Sequence, residues 1–169
     1  AALADSQVLA EARVFFQGLE KEFGKVGFFI IAPDMISIGS MRDSNLGTTN
    51  FISERKPELI NTVFRGRSAF IPPIRSDVAL ASSPDKEGLK KPPTMFFAAP
   101  IRQKNGRVLA VLTQRIDPAG EFSKTLASGR LGETGESYAF DREGLLLSNS
   151  RFDEALQQIG LIEEGERGL

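Results

Sequence analysis

Across the first 23 residues the apolar positions fall at Val8, Ala12, Phe15, Phe16, Leu19 and Phe23, in steps of four, three, one, three and four. That spacing marks one face of an amphipathic helix over 1–23, with Glu11, Gln17, Glu20 and Lys21 on the wetter side. Gly24 and Gly27 close it. The stripe Val8, Ala12, Phe15 and Leu19 has two uses: it packs on its own domain, or it pairs with a second copy of itself.

The pattern then changes to that of strands. Phe28 to Ala32 is a continuous apolar run stopped by Pro33 and Asp34, which predicts a buried strand, a tight turn and a returning strand over 36–41. "RDSNLGTTNFISE" is rich in loop formers. "SERKPELINTVFRG" offers Ser53 as a helix cap, then Leu59, Ile60, Val63 and Phe64 at helical spacing before the stop at Gly66. A strand follows to Ile71, where Pro72 and Pro73 forbid a central position in a sheet, so Arg75, Ser76 and Asp77 belong to an edge or a loop.

After the polar stretch 82–93 come "TMFFAAPI" and "RVLAVLTQRI", two β-rich runs separated by "RQKNG", whose Asn105-Gly106 is a strong hairpin signal. Alternation puts Thr94, Phe96 and Ala98 on one face of the first run and Met95, Phe97 and Ala99 on the other. The order is helix, strand, strand, helix, strand, strand, strand. That is an α+β fold: a PAS-like antiparallel five-stranded sheet with helices on one face and the long helix leading in.

A short helix over 118–128 and the Gly-rich "SGRLGETGES" come next, and then the layout restarts. "GESYAFDREGLLLSNSRFD" (135–153) repeats "GFFIIAPDMISIGSMRD" (27–43): an apolar run, an Asp at a turn (Asp34, Asp141), a second apolar run, a Ser (Ser40, Ser148) and an Arg (Arg42, Arg151). "YAF" and "GLLLSN" read as strands and 153–159 as a helix, but three further strands do not arrive by Leu169. The expected organisation is an N-terminal signalling helix (1–23), a first PAS-like lobe holding the ligand (24–118), a connector (119–134) and the start of a truncated second lobe (135–169), whose unpaired strand edges invite pairing with another copy.

Chemistry is narrowed by what the composition lacks. The 169 residues include no Cys and no His, which removes disulfides, thiolate and imidazole metal sites, and Ser-His or Cys-His nucleophilic machinery. An enzyme would have to use paired carboxylates that the sequence does not display, so the chain is expected not to be an enzyme. Twenty-one Lys and Arg against 22 Asp and Glu give a net charge of −1, no field for nucleic acid. The glycines at 129, 132 and 135 lack the Lys-Ser or Lys-Thr of a phosphate loop, and the acidic residues show no calcium-loop spacing. No cofactor and no metal are expected.

"GFFIIAPD", "RDSNLGT", "SERKPELINTVFRGRS", "TMFFAAPIRQKNGRVLAVLTQRIDP" and "GRLGETGESYAFDREGLLLSNS" together resemble the successive signatures of double Cache sensor domains. Those are the extracytoplasmic ligand-sensing regions of bacterial chemoreceptors, histidine kinases and nucleotide cyclases. The resemblance covers Gly24 to about Asn149. It implies two stacked PAS-like lobes, a periplasmic location in an inner-membrane protein, a homodimer, and a small ligand in the first lobe.

By position the resemblance makes Arg55 the anchor of a ligand carboxylate, a task that suits a permanently charged guanidinium fork; the alternative is an exposed Arg at a helix start. Arg75 and Asp77, fixed after the double proline, suit a zwitterion, and equally suit a surface ion pair. Phe96 and Ala98 would form the floor. Dicarboxylate-sensing relatives carry an Arg where Phe96 stands, so the implied ligand is a small monocarboxylate or an amino acid. Two other readings stay open: a ligand-free PAS-like dimerisation and relay module, and a carboxylate-based hydrolase.

Overall fold

The computed structural model describes residues 3–23, 27–76, 93–118, 122–141, 144, 146–148 and 150–162. They fall into two compact units, Ala1–Ile71 with Met95–Ile116, and Pro72–Thr94 with Asp117–Leu169. The elements are α1 (Gln7–Phe23), β1 (Phe28–Ile31), β2 (Ser37–Ser40), a 3-10 turn (Asp43–Asn45), α2 (Phe51–Arg55), α3 (Pro57–Phe64), β3 (Ala69–Arg75), β4 (Pro93–Arg102), β5 (Val108–Ile116), α4 (Ser123–Ala127) and α5 (Asp153–Gln158). The five strands form one sheet in the order β2-β1-β5-β4-β3, with β1 antiparallel to β2 and β5, and β4 antiparallel to β5. This is the expected α+β, PAS-like architecture.

Register assigns the faces. Phe28 pairs with Gln114 and Phe29 with Thr113 on β5, while on β4 Phe97 pairs with Gln114, Ala98 with Thr113 and Phe96 with Arg115. One face therefore carries Phe29, Phe96, Ala98, Thr113 and Arg115, and the other carries Phe28, Phe97 and Gln114. Helix α1 packs on the second face: Phe16 stacks on Phe28 with centroids 4.4 Å apart, and Leu9 completes a buried cluster with Ala12, Leu19, Ile30 and Leu112 around it. Phe51 of α2 packs on the first, against Phe29 and Phe96. The helices thus sit on both faces of the sheet, not on one.

The helical stripe also divides differently from its spacing alone. Leu9 and Phe16 turn inward with Ala12 and Leu19, whereas Val8 and Phe15 are 75% and 63% exposed. Arg13 fastens α1 beyond the apolar contact: its Nε donates to the Ser40 carbonyl at 2.8 Å and its Nη2 meets Asp43 Oδ1 at 2.6 Å. Asp43 is 68% exposed, so the ion pair is screened and worth about 0–1 kcal/mol. Arg13→Ala is accordingly expected to cost no more than about 1 kcal/mol plus the small loss of the carbonyl bond. A double-mutant cycle with Asp43→Asn in urea denaturation measures the coupling; a value well above 1 kcal/mol contradicts the screening argument.

Helix formation between Asn50 and Gly66 departs from expectation at its start. Ser53 does not cap it: Asn50 does, its Oδ1 accepting from the Ile52 amide at 3.0 Å. The predicted single helix is two, because Pro57 keeps Lys56 out of helical geometry (φ −136°, ψ 54°) and then opens α3 from its first position. Pro72 and Pro73 lie on β3, an edge strand, as their missing amides require. The β4–β5 hairpin turns at Asn105-Gly106, with Gly106 at φ 87° and its amide donating to Gln103 O at 2.9 Å.

In the second unit α4 and α5 are shorter than predicted, and among the described residues of "YAF" and "GLLLSN" there is one isolated antiparallel bridge, Phe140 to Leu146. A lone two-stranded pairing is marginal. Gly135 is obligatory: an added Cβ would stand 2.0 Å from the Leu131 carbonyl oxygen. Glu136, with a side chain only 9% exposed, forms ion pairs with Arg130 at 3.2 Å and Arg151 at 2.9 Å. The two cations beside this Gly-rich segment thus face the chain's own carboxylate, in keeping with a structural turn.

Candidate functional site

The sheet face under α2 and α3 is the candidate site. On β5 the alternation Val111, Thr113, Arg115 runs along it; Val111 and Thr113 are fully buried and Arg115 is half-buried. Thr113 Oγ1 accepts from the Phe29 amide at 3.2 Å, so a polar side chain is tolerated there by satisfying backbone. Three rings close over the sheet: Phe29 to Phe51 at 5.7 Å and 70°, Phe51 to Phe96 at 5.8 Å and 65°, Phe29 to Phe96 at 6.1 Å and 47°. Such edge-and-tilt contacts add about 0.5–1.5 kcal/mol each beyond area burial. Ile52, Ile60 and Val63 of α2 and α3 are fully buried.

Arg115 ends this dry surface with a charge. Its guanidinium carbon lies 5.4 Å from the Phe96 centroid, a cation–π contact. On the other flank the Arg115 amide donates to Gly27 O at 2.6 Å, and the absent Gly27 side chain leaves the Arg115 stem in ordinary contact range, 3.6–3.9 Å from where a Cβ would be. The row Gly27, Arg115, Phe96 therefore holds the cation between a residue without a side chain and an aromatic ring.

Of the residues singled out from the sequence, Phe96 (0% exposed) and Ala98 (2%) stand together on this face. Arg55 is exposed at the last position of α2, a helix end rather than a helix start. Arg75 closes β3, and Asp77 lies outside the described residues. Phe29, Phe51, Thr113 and Arg115 were not singled out. The alternation in "VLTQRI" carried a signal for Thr113 and Arg115; nothing local carried one for Phe51.

Two buried hydroxyls, Ser53 Oγ and Thr94 Oγ1, have no hydrogen-bond partner. On the opposite face of the sheet a depression of about 390 Å³ is lined by Ser68, Phe70, Phe97, Leu112 and Gln114 among others, with the Phe70 and Phe97 rings 5.6 Å apart. Among the described residues no group of three His, Cys, Asp or Glu is placed to hold a metal ion. None of their helices is long and apolar enough to cross a membrane.

Neither a family model nor a curated protein matches the chain. Among solved structures, the ligand-binding domain of a Campylobacter jejuni chemoreceptor, in complex with L-valine, is similar over 96% of this chain at a TM-score of 0.53 and 11% identity. The chain spans 60% of that domain's length. A sensory box sensor histidine kinase from Vibrio cholerae matches over 67% of this chain and 94% of its own, with a TM-score of 0.39 and 14% identity. The chemoreceptor likeness is one of fold: the class defined here is the PAS-like α+β architecture.

Proposed function

We propose that the chain is the extracytoplasmic sensor region of a bacterial membrane-bound signalling protein, a histidine kinase, cyclase or chemoreceptor, of the double Cache type. It binds a small carboxylate or amino acid in its first lobe, catalyses nothing itself, and relays a change of shape through α1. The observation that carries the reading is the correspondence of fold over 96% of the chain with a domain whose structure holds L-valine. The restart of the same layout at Gly135 supports two lobes. Val8 and Phe15, exposed on α1, support a homodimer through that helix.

A thermal-shift screen of amino and organic acids tests the reading. Ligand at a hundredfold excess over Kd stabilises by about 2.7 kcal/mol, which for a chain of this size raises Tm by about 5–10 °C. No shift from any acid would instead favour a ligand-free relay module. That second reading has an observation behind it, since Phe96 is fully buried under Phe29 and Phe51 as in a filled core.

A further inference from the structure

We infer that the depression on the α1 face of the sheet is a second binding site, for a small, uncharged, flat ring compound that carries an amide or lactam group. It lies on the face opposite Phe96 and stands apart from the acid reading above.

The site forms on the part of that face that α1 leaves uncovered. The row Phe28, Gln114, Phe97 crosses β1, β5 and β4 in register. Along it Phe28 is 2% exposed beneath Phe16, Gln114 is half-buried and Phe97 is 54% exposed. In the neighbouring row the α1 cluster takes in Ile30 and Leu112, and Ala99 follows on β4. The single helix thus covers β1 and part of β5, and the rings on β4 and β3 stay in the open. Phe70 of β3 meets Phe97 with centroids 5.6 Å and planes 50° apart, and the two rings wall a hollow of about 390 Å³ whose polar side chains are Gln114 and Ser68. One exposed ring on a sheet is ordinary. Two in contact, in a concavity with a polar group at its side, make the apolar hollow with a few anchors that marks ligand sites.

The lining selects the occupant. It contains no charged side chain, so an ion entering it would give up hydration without a counter-charge. Among the described residues neither the Gln114 carboxamide nor the Ser68 hydroxyl has a hydrogen-bond partner. A carboxamide sets a carbonyl acceptor beside N–H donors, and another amide or a lactam pairs with both at once. A second copy of the chain laying an apolar face here would instead bury that carboxamide unpaired, at the cost of its lost hydration. Phe70 and Phe97 add edge and tilt contacts to a flat aromatic ring. The volume lies near the low end of the range for ligand pockets, about 300–1,000 Å³, which suits a body of one or two rings.

Titration of the labelled protein with benzamide, benzoate and toluene, followed by amide NMR shifts, tests the assignment with three probes of nearly one shape. The parent should bind benzamide with shifts at Phe70, Phe97 and Gln114. It should bind benzoate and toluene at least about tenfold more weakly, the first for its charge and the second for its missing hydrogen bonds. Gln114→Leu should lose about tenfold for benzamide and keep toluene, so that the two bind alike. Phe97→Ala, at an exposed position, should weaken both. Unchanged circular dichroism of the variants separates lost binding from lost folding. Benzamide that fails to bind, or that binds the parent and both variants equally, overturns the assignment; an amino acid that still binds the parent then leaves the sensor reading standing. A parent dimer that Phe97→Ala dissociates makes the hollow an interface between copies and overturns it too. If Phe97→Ala abolishes amino-acid binding along with benzamide, the two ligands share one site and no second site exists.

Discussion

Phe96→Ala is expected to destabilise the first unit by about 3–5 kcal/mol, the range for deleting a buried aromatic ring. The ring is 0% exposed, and its removal takes away the shared partner of Phe29 and Phe51 and the surface under the Arg115 guanidinium. The cavity left would lie between β4 and α2, where the helix cannot collapse freely because Asn50 and Pro57 fix its two ends. Phe97→Ala, one residue along and 54% exposed on the opposite face, should change stability by less than about 1 kcal/mol. Urea denaturation of the two variants compares them directly. Similar losses would mean that β4 does not hold the register in which Phe96 faces Arg115, since a slip of one residue exchanges the faces.

That contrast also shows where the sequence was legible. Alternation in "TMFFAAPI" separates Phe96 and Ala98 from Phe97 and Ala99, and the structure buries the first pair and exposes the second. Asn105-Gly106 and the double proline are equally local signals, because each depends on the backbone freedom of one or two residues. The inward face of α1 was less legible. Val8, Ala12, Phe15 and Leu19 match a helical period as well as Leu9, Ala12, Phe16 and Leu19 do, and only the position of Phe28 on β1 selects the second set.

The candidate site needed information that no single segment contains. Arg115 and Phe96 are 19 positions apart and meet through strand pairing, whereas Phe51 reaches Phe96 from a helix that precedes both strands. Arg55 is singled out by its position in the double Cache resemblance, with an exposed Arg at a helix start as the alternative. The helix starts four positions earlier, at Phe51 behind the Asn50 cap, which leaves Arg55 at an exposed end. In the second unit the repeat of apolar run, Asp and apolar run is present in the residues, yet among the described ones it yields only the Phe140–Leu146 bridge. Neighbouring strands, which in the first unit flank β1 on both sides, are what such a pair requires.

Asn50→Ala is expected to cost about 2–4 kcal/mol, because one buried side chain serves two elements at once. Its Oδ1 caps α2 through the Ile52 amide, and its Nδ2 donates to Ser37 Oγ on β2 at 3.0 Å, with Asn50 only 1% exposed. Losing an N-cap costs about 0.5–2 kcal/mol, and a buried hydroxyl left without its donor adds about 1–3. The backbone at this point carries a further duty: the Asn50 amide donates to the carbonyl of Met35, a non-glycine residue held at φ 66° in the β1–β2 turn. A cap loosened by mutation therefore loosens the turn that sets the β1–β2 register. Ser53→Ala is the control, since the Ser53 hydroxyl is buried without a partner and alanine is the better helix former; it should be neutral or stabilising by up to about 1 kcal/mol. Chemical denaturation of both variants decides between the two caps. If Ser53→Ala loses as much as Asn50→Ala, the helix begins at Ser53, and α2 does not bring Phe51 onto Phe29 and Phe96.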